Sequence, residues 1–159
     1  MTVTIRSATP ADAPTILRFV KELATYEREP DAVKATEADF ERVLFGPRPY
    51  AEAVIAEGDG APLGFALFFH NFSTWQGKPG VYLEDLYVTP EARGKGVGKR
   101  LLAHLAKIAV ERDCARLEWS VLDWNAPAIS FYRSLGAVPM DEWTVNRMTG
   151  DALVKLAAG

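Results

Sequence analysis

The chain has one cysteine, two histidines and no excess of positive charge among its 159 residues. A lone Cys114 cannot close an internal disulfide, and it suits a reducing, cytoplasmic setting. His70 and His104 have no partner at metal-ligand spacing, so no metal site is expected. There is no basic-then-apolar leader and no apolar run near about 18 residues, which signals neither secretion nor a membrane span. The net charge of −3 argues against nucleic acid and for a cationic partner. Repeats, linkers and low-complexity stretches are missing too. The length is that of a single domain, residues 1–159, with room for a core.

What is present is organised around Val81–Leu102. Val81, Tyr82, Leu83, Leu86, Tyr87 and Val88 predict a strand interrupted only by Glu84 and Asp85. Two carboxylates in an apolar strand are costly unless they are paired, exposed or used. In a regular strand neighbouring side chains face opposite ways, so only one of the two can face a cleft. Pro90 stops the strand, and Arg93-Gly94-Lys95-Gly96-Val97-Gly98 leads into a helix. Its apolar face is Val97, Leu101, Leu102, Leu105, Ile108 and Ala109. A helix start leaves N–H groups without partners, glycines let an anion approach them, and Arg93, Lys95 and Lys99 add positive charge. The spacing fails a Walker A loop, because Arg93 stands at its first glycine and Arg100 replaces its hydroxyl. It also fails the dinucleotide fingerprint, since the glycines fall at 94, 96 and 98 and position 99 is lysine. Two readings remain: a phosphate cradle of the form Arg93-x-x-Gly96-x-Gly98, or an ordinary tight strand-to-helix turn.

A second stretch runs from Trp124 to Ala137. Asn125 is a good N-cap, Pro127 suits a first turn, and Gly136 is placed to end a helix over 126–135. Upstream, Val3–Arg6 reads as a strand. Thr9, Pro10 and Asp12 open a helix with Ile16, Val20 and Leu23 on one face, ending near Tyr26-Glu27. Thr36 and Asp39 cap a second helix that buries Phe40, Val43 and Leu44. Ala51–Ala56 and Leu63–Phe69 predict a hairpin, Asn71–Gly80 a loop, and Arg116–Leu122 a further strand. Trp143–Met148 and Ala152–Leu156 read as two closing strands. The resulting order, βααβββαβαββ, is a mixed α/β (α+β) class, with helices covering a partly antiparallel sheet.

The two motifs together, in this element order, resemble the GNAT superfamily of N-acetyltransferases. Ile5–Thr9 with Asp12, Lys21–Glu27, Tyr82–Val88, Arg93–Gly98 and Trp124–Tyr132 are most similar to the diamine (spermidine/spermine) N-acetyltransferase branch. The resemblance implies acetyl-CoA as cosubstrate, a small amine such as a polyamine or diamine as acceptor, and a homodimer. It implies that the backbone of Leu86, Tyr87 and Val88 pairs with pantetheine like an added strand. Arg93, Gly94, Lys95, Gly96, Val97, Gly98 and Lys99 would cradle the pyrophosphate, with Asn125, Ala128 and Tyr132 against the cofactor from the other side. Tyr26, Glu27, Ser73, Glu84, Glu118 and Asp141 or Glu142 stand at or near acceptor positions.

The chemistry asked of these residues is clear. An alkylamine with pKa of about 10 must lose a proton before it attacks, and a thiolate must gain one as it leaves. Glu84 matches the position that takes the first proton, directly or through water, with Asp85 as the other candidate. Tyr132 matches the acid, its pKa of about 10 lying close to a thiol's of about 8.5. The short segment between Ala137 and Trp143 and the extra residue near Pro79-Gly80 depart from the diamine pattern. Thialysine or another small amino acid is therefore an alternative acceptor, beside a protein amine. A non-catalytic acyl-CoA sensor is the third class.

Overall fold

The computed structural model describes residues 2–159. The chain divides into two compact units, one ending at Ser120 and the other spanning Val121–Gly159. The first is built on a five-stranded sheet in the order β1-β2-β3-β4-β5. These strands are β1 Val3–Ser7, β2 Glu52–Gly58, β3 Ala61–Ser73, β4 Lys78–Val88 and β5 Leu117–Trp119. The first four are antiparallel to their neighbours, and β5 runs parallel to β4.

One face is covered by helices α1 (Ala13–Tyr26) and α2 (Glu37–Phe45). Thr9 stands before a short 3-10 turn, Pro10–Asp12, that leads into α1. Asp12 is held in place by Arg6, whose Nη1 and Nη2 donate to its two oxygens at 2.7 and 2.8 Å, while Arg6 Nε reaches Glu57 at 2.8 Å. That pairing keeps the Asp12 carboxyl below the usual range, helped by the Thr9 N–H it accepts. α2 opens with the capping box expected of it: Asp39 N–H donates to Thr36 Oγ1 at 3.2 Å and Thr36 N–H to Asp39 Oδ2 at 2.9 Å. Ile16, Phe19 and Leu44 pack on Ala53, Ile55, Phe65, Leu67 and Tyr87. Full burial of an Ile or Phe side chain contributes about 1.5–3 kcal/mol, so this layer holds α1 against the sheet. α3 (Val97–Glu111) packs on the sheet with Val97, Leu101, Leu102, Leu105 and Ala109 buried.

Three expectations are corrected. Asn71–Gly80 is not a loop: Asn71 pairs with Gly80, Phe72 with Pro79 and Ser73 with Lys78, so the β3–β4 hairpin continues to a tight turn. The proline is tolerated because its carbonyl accepts from Ala115 N–H at 2.8 Å, and a strand residue's N–H and C=O point to the same side. Its missing N–H is thus turned away from β3. β5 covers only Leu117–Trp119 of the expected Arg116–Leu122. The closing strands are absent as well. Trp143–Met148 forms no regular element, and α5 (Gly150–Ala157) replaces the strand expected at Ala152–Leu156. Leu153, Val154 and Leu156 are exposed, so no buried face enforces a two-residue period. Alanine, leucine and lysine then follow their helical preference, with Asp151 in the first turn and Lys155 in the last. The second unit also holds α4, Ala126–Ser134.

Candidate active site

The site begins where β4 loses a neighbour. β5 pairs only with Val81, Tyr82 and Leu83, while β4 continues to Val88 against β3 alone. The Tyr87 carbonyl is directed at Gly64 on β3, where a Cβ would collide with it. By alternation the backbone groups of Leu86 and Val88 point to the other, open edge. Of the three residues expected to pair with pantetheine, Leu86 and Val88 therefore offer backbone groups to an added strand. Tyr87 does not, but its side chain is buried on the α1/α2 face.

The register of β4 shifts in the same place. Leu67 faces Asp85, yet the next residue, Phe68, faces Leu83, which leaves Glu84 as the extra residue of a β-bulge. The alternation that would send Glu84 and Asp85 to opposite faces is broken. Glu84 is exposed, whereas Asp85 sits on the same face as Leu67 and Tyr87. Burial pushes the Asp85 carboxyl up to about 6, with further contributions from the charges of Glu84 and Glu27. Glu27 caps the C-terminus of α1, and burial raises its pKa as well. Asp85 thus feels a carboxylate from its own strand and another from the end of α1. A cation entering among them would offset their repulsion.

Beside them stands an aromatic pair. Tyr87 Oη donates to Glu22 Oε1 at 3.1 Å, and its ring lies 5.5 Å from that of Phe19. Arg93 lies 5.4 Å from the Tyr26 ring centroid and 5.5 Å from that of Tyr87, and its Nε donates to the Val88 carbonyl at 3.0 Å. Its side chain is folded back on β4. The turn it opens carries Gly94 at φ 76 and Gly96 at φ 80, the latter as N-cap of α3. Left-handed backbone at the helix entry suits glycine, and it leaves the first-turn N–H groups with no capping side chain. Val97 is buried, Gly98 lies against Val88, and Lys95 and Lys99 are exposed.

Within the first unit, Ser73 and Glu118 are already engaged. Ser73 is buried in the hairpin turn, its Oγ accepting from Gln76 N–H at 3.2 Å. Its partner Lys78 is six residues from Glu84, about 20 Å along the strand at ~3.3 Å per residue, so Ser73 does not join the carboxylates. Glu118 pairs with Tyr82 in register and accepts from Arg116 Nε at 2.8 Å and Asn71 Nδ2 at 3.1 Å. In the second unit, Asn125 is buried and its side chain accepts from Ala128 N–H at 3.4 Å at the start of α4. Tyr132 lies on that helix with its ring 5.5 Å from Phe131, and Gly136 follows at φ 95. Asp141 and Glu142 are exposed.

The family model described as "Acetyltransferase (GNAT) family" matches residues 16–137. The chain belongs to the GNAT acetyltransferase family. Among its relatives is the thialysine N-epsilon-acetyltransferase of Bos taurus, 38% identical over 98% of this chain and 97% of that protein. A human spermidine/spermine N(1)-acetyltransferase-like protein 1 is 36% identical over 96% of this chain but 23% of its own length. A solved V. cholerae integron cassette protein superposes with a TM-score of 0.83 at 32% identity, covering 100% of this chain and 99% of the other. GNAT acetyltransferases use acetyl-CoA, and the chain is therefore an acetyltransferase. No helix among the described residues is long and apolar enough to cross a membrane.

The sequence pointed to Glu84 and left Asp85 as the alternative. The group with the most perturbed carboxyl is Asp85, and the bulge that brings the two into one electrostatic neighbourhood has no signature in the sequence of β4 itself.

Proposed function

We propose that this GNAT enzyme acetylates the distal primary amine of a small amino acid of the thialysine type, using acetyl-CoA held along the open edge of β4. The observation that carries the reading is the placing of Asp85, buried and under the charges of Glu84 and Glu27, on a strand that runs past the end of β5 with an open edge at Leu86 and Val88. The acids suit a cationic amine, and the edge suits the two amides of pantetheine. An amino-acid acceptor is favoured over a polyamine because the bovine thialysine enzyme matches end to end. The polyamine-named relative matches over less than a quarter of its own length.

In this reading the N–H groups at the start of α3, with Lys95 and Lys99, hold the pyrophosphate. Leu86 and Val88 align the thioester, and the ammonium settles among the acids. Glu84, exposed at the bulge, takes its proton. Asp85, already poised near 6, supports the cation from the buried side. The neutral amine attacks the acetyl carbonyl, the tetrahedral adduct collapses, and the thiolate is protonated. Tyr132 is assigned that last step on its place in the N-x-x-A-x-x-F-Y motif, and Asn125 and Ala128 are assigned to the cofactor on the same grounds. One catalytic domain over residues 1–159 and a homodimer belong to the proposal and rest on the family resemblance. The test is thiol release from acetyl-CoA against thialysine, lysine, ornithine, spermidine, putrescine and a lysine peptide. Preference for free amino acids supports the reading, and turnover on polyamines or peptide alone refutes it.

A further inference from the structure

We infer that Arg93 is a positioning residue that couples the cofactor edge of β4 to the acceptor acids, and that its side chain is not a ligand of the cofactor phosphates. The inference rests on the acetyl-CoA reading above. Three contacts define it. Nε donates to the Val88 carbonyl at 3.0 Å, and the guanidinium lies over the Tyr26 ring at 5.4 Å and the Tyr87 ring at 5.5 Å. The first contact is to the open strand edge. The second is to the last residue of α1, immediately before Glu27. The third is to the residue two positions beyond Asp85, on the same face of β4.

One planar side chain therefore ties together the elements that carry the acids. Reaching a phosphate at the start of α3 would require Arg93 to give up one hydrogen bond and two ring contacts. Lys95, Lys99 and the uncapped amides of α3 are there without it. Held where it is, Arg93 fixes Tyr26 and with it the adjoining Glu27, and its charge lies beside the Tyr87 ring on the face that carries Asp85. It also holds the Val88 carbonyl, fixing the course of the strand edge beside the acids. Lysine could supply the charge but neither the planar stacking nor the Nε geometry.

The experiment uses the full chain with Arg93→Lys, Arg93→Gln, Tyr26→Ala and the Arg93→Lys/Tyr26→Ala double variant. KM and kcat for the amine are measured at saturating acetyl-CoA, and Kd for CoA by titration calorimetry. Arg93→Lys is expected to raise the amine KM about tenfold while Kd for CoA stays within about twofold, the scale of losing one hydrogen bond and a ring contact. Tyr26→Ala should do the same, and the double variant should be little worse than either single one, since both break one link. If CoA affinity falls as much as or more than amine affinity, or if lysine restores wild-type behaviour, Arg93 is a phosphate ligand and the inference is overturned. Thermal melts of Arg93→Lys and Tyr26→Ala identify any variant that has lost its fold, leaving the other to decide. Failure of the wild-type protein to bind CoA would overturn the acetyl-CoA reading itself, and this inference with it.

Discussion

Replacing Asp85 by asparagine should stabilise this protein at neutral pH and weaken its hold on the amine. A carboxyl whose folded pKa lies above its unfolded one contributes its stability while protonated. That contribution is complete below the unfolded value and is lost as pH rises through the folded value. For Asp85 the two are 3.8 and about 6, and burial is the main cause. At ~1.36 kcal/mol per decade, the ionised carboxylate costs about 3 kcal/mol above pH 6 and almost nothing below pH 4. Asparagine keeps the shape without the charge. Urea unfolding at pH 7.5 should therefore show Asp85→Asn more stable by up to about 3 kcal/mol, or roughly 6–12 °C in Tm for a chain of this size. At pH 4 the two proteins should coincide. Saturating amine should close part of the gap at pH 7.5, because a cation stabilises only the ionised form. Equal stability at pH 7.5, or the same gain at pH 4, would refute the argument that a buried charge is being maintained there. Stability given up at a functional site is what a trade-off between stability and activity predicts.

Other outcomes follow from the same geometry. Glu84→Gln should lower kcat on strongly basic amines and move the pH optimum upward, because more of the amine must then arrive neutral; an unchanged pH profile moves the proton-acceptor role to Asp85. Tyr132→Phe should reduce turnover by about 10²-fold or more if the phenol protonates the leaving thiolate, and wild-type turnover across the pH range would end that assignment. Gly96→Ala places an L side chain at φ 80, where its Cβ meets nothing within 4 Å. The penalty is then backbone strain alone, about 1–2 kcal/mol. Urea midpoints and CoA titration should show both lower stability and weaker binding, and an unchanged midpoint would mean that the turn relaxes.

Much of this molecule could be read from short-range pattern. Thr36 with Asp39, Asn125 before Pro127, and the glycines at 94, 96 and 98 specify local backbone through bonds within a few residues, and the helices they open begin where the sequence predicts. The family was legible for the same reason: its two motifs are local phosphate-turn and helix-cap chemistry. Partners distant in sequence decided the rest. Whether Asn71–Gly80 was loop or hairpin depended on β3 and on Ala115 receiving the Pro79 carbonyl. Whether Trp143–Leu156 formed strands depended on burial, which those side chains do not have. The bulge that gathers Glu84 with Asp85 is a mismatch of register between β4 and β3, so neither strand encodes it alone. Glu27 joins them from the end of α1, and Arg93 returns to Val88 across a turn. Side-chain type and local backbone come from neighbours in sequence, but pKa and charge pairing come from neighbours in space.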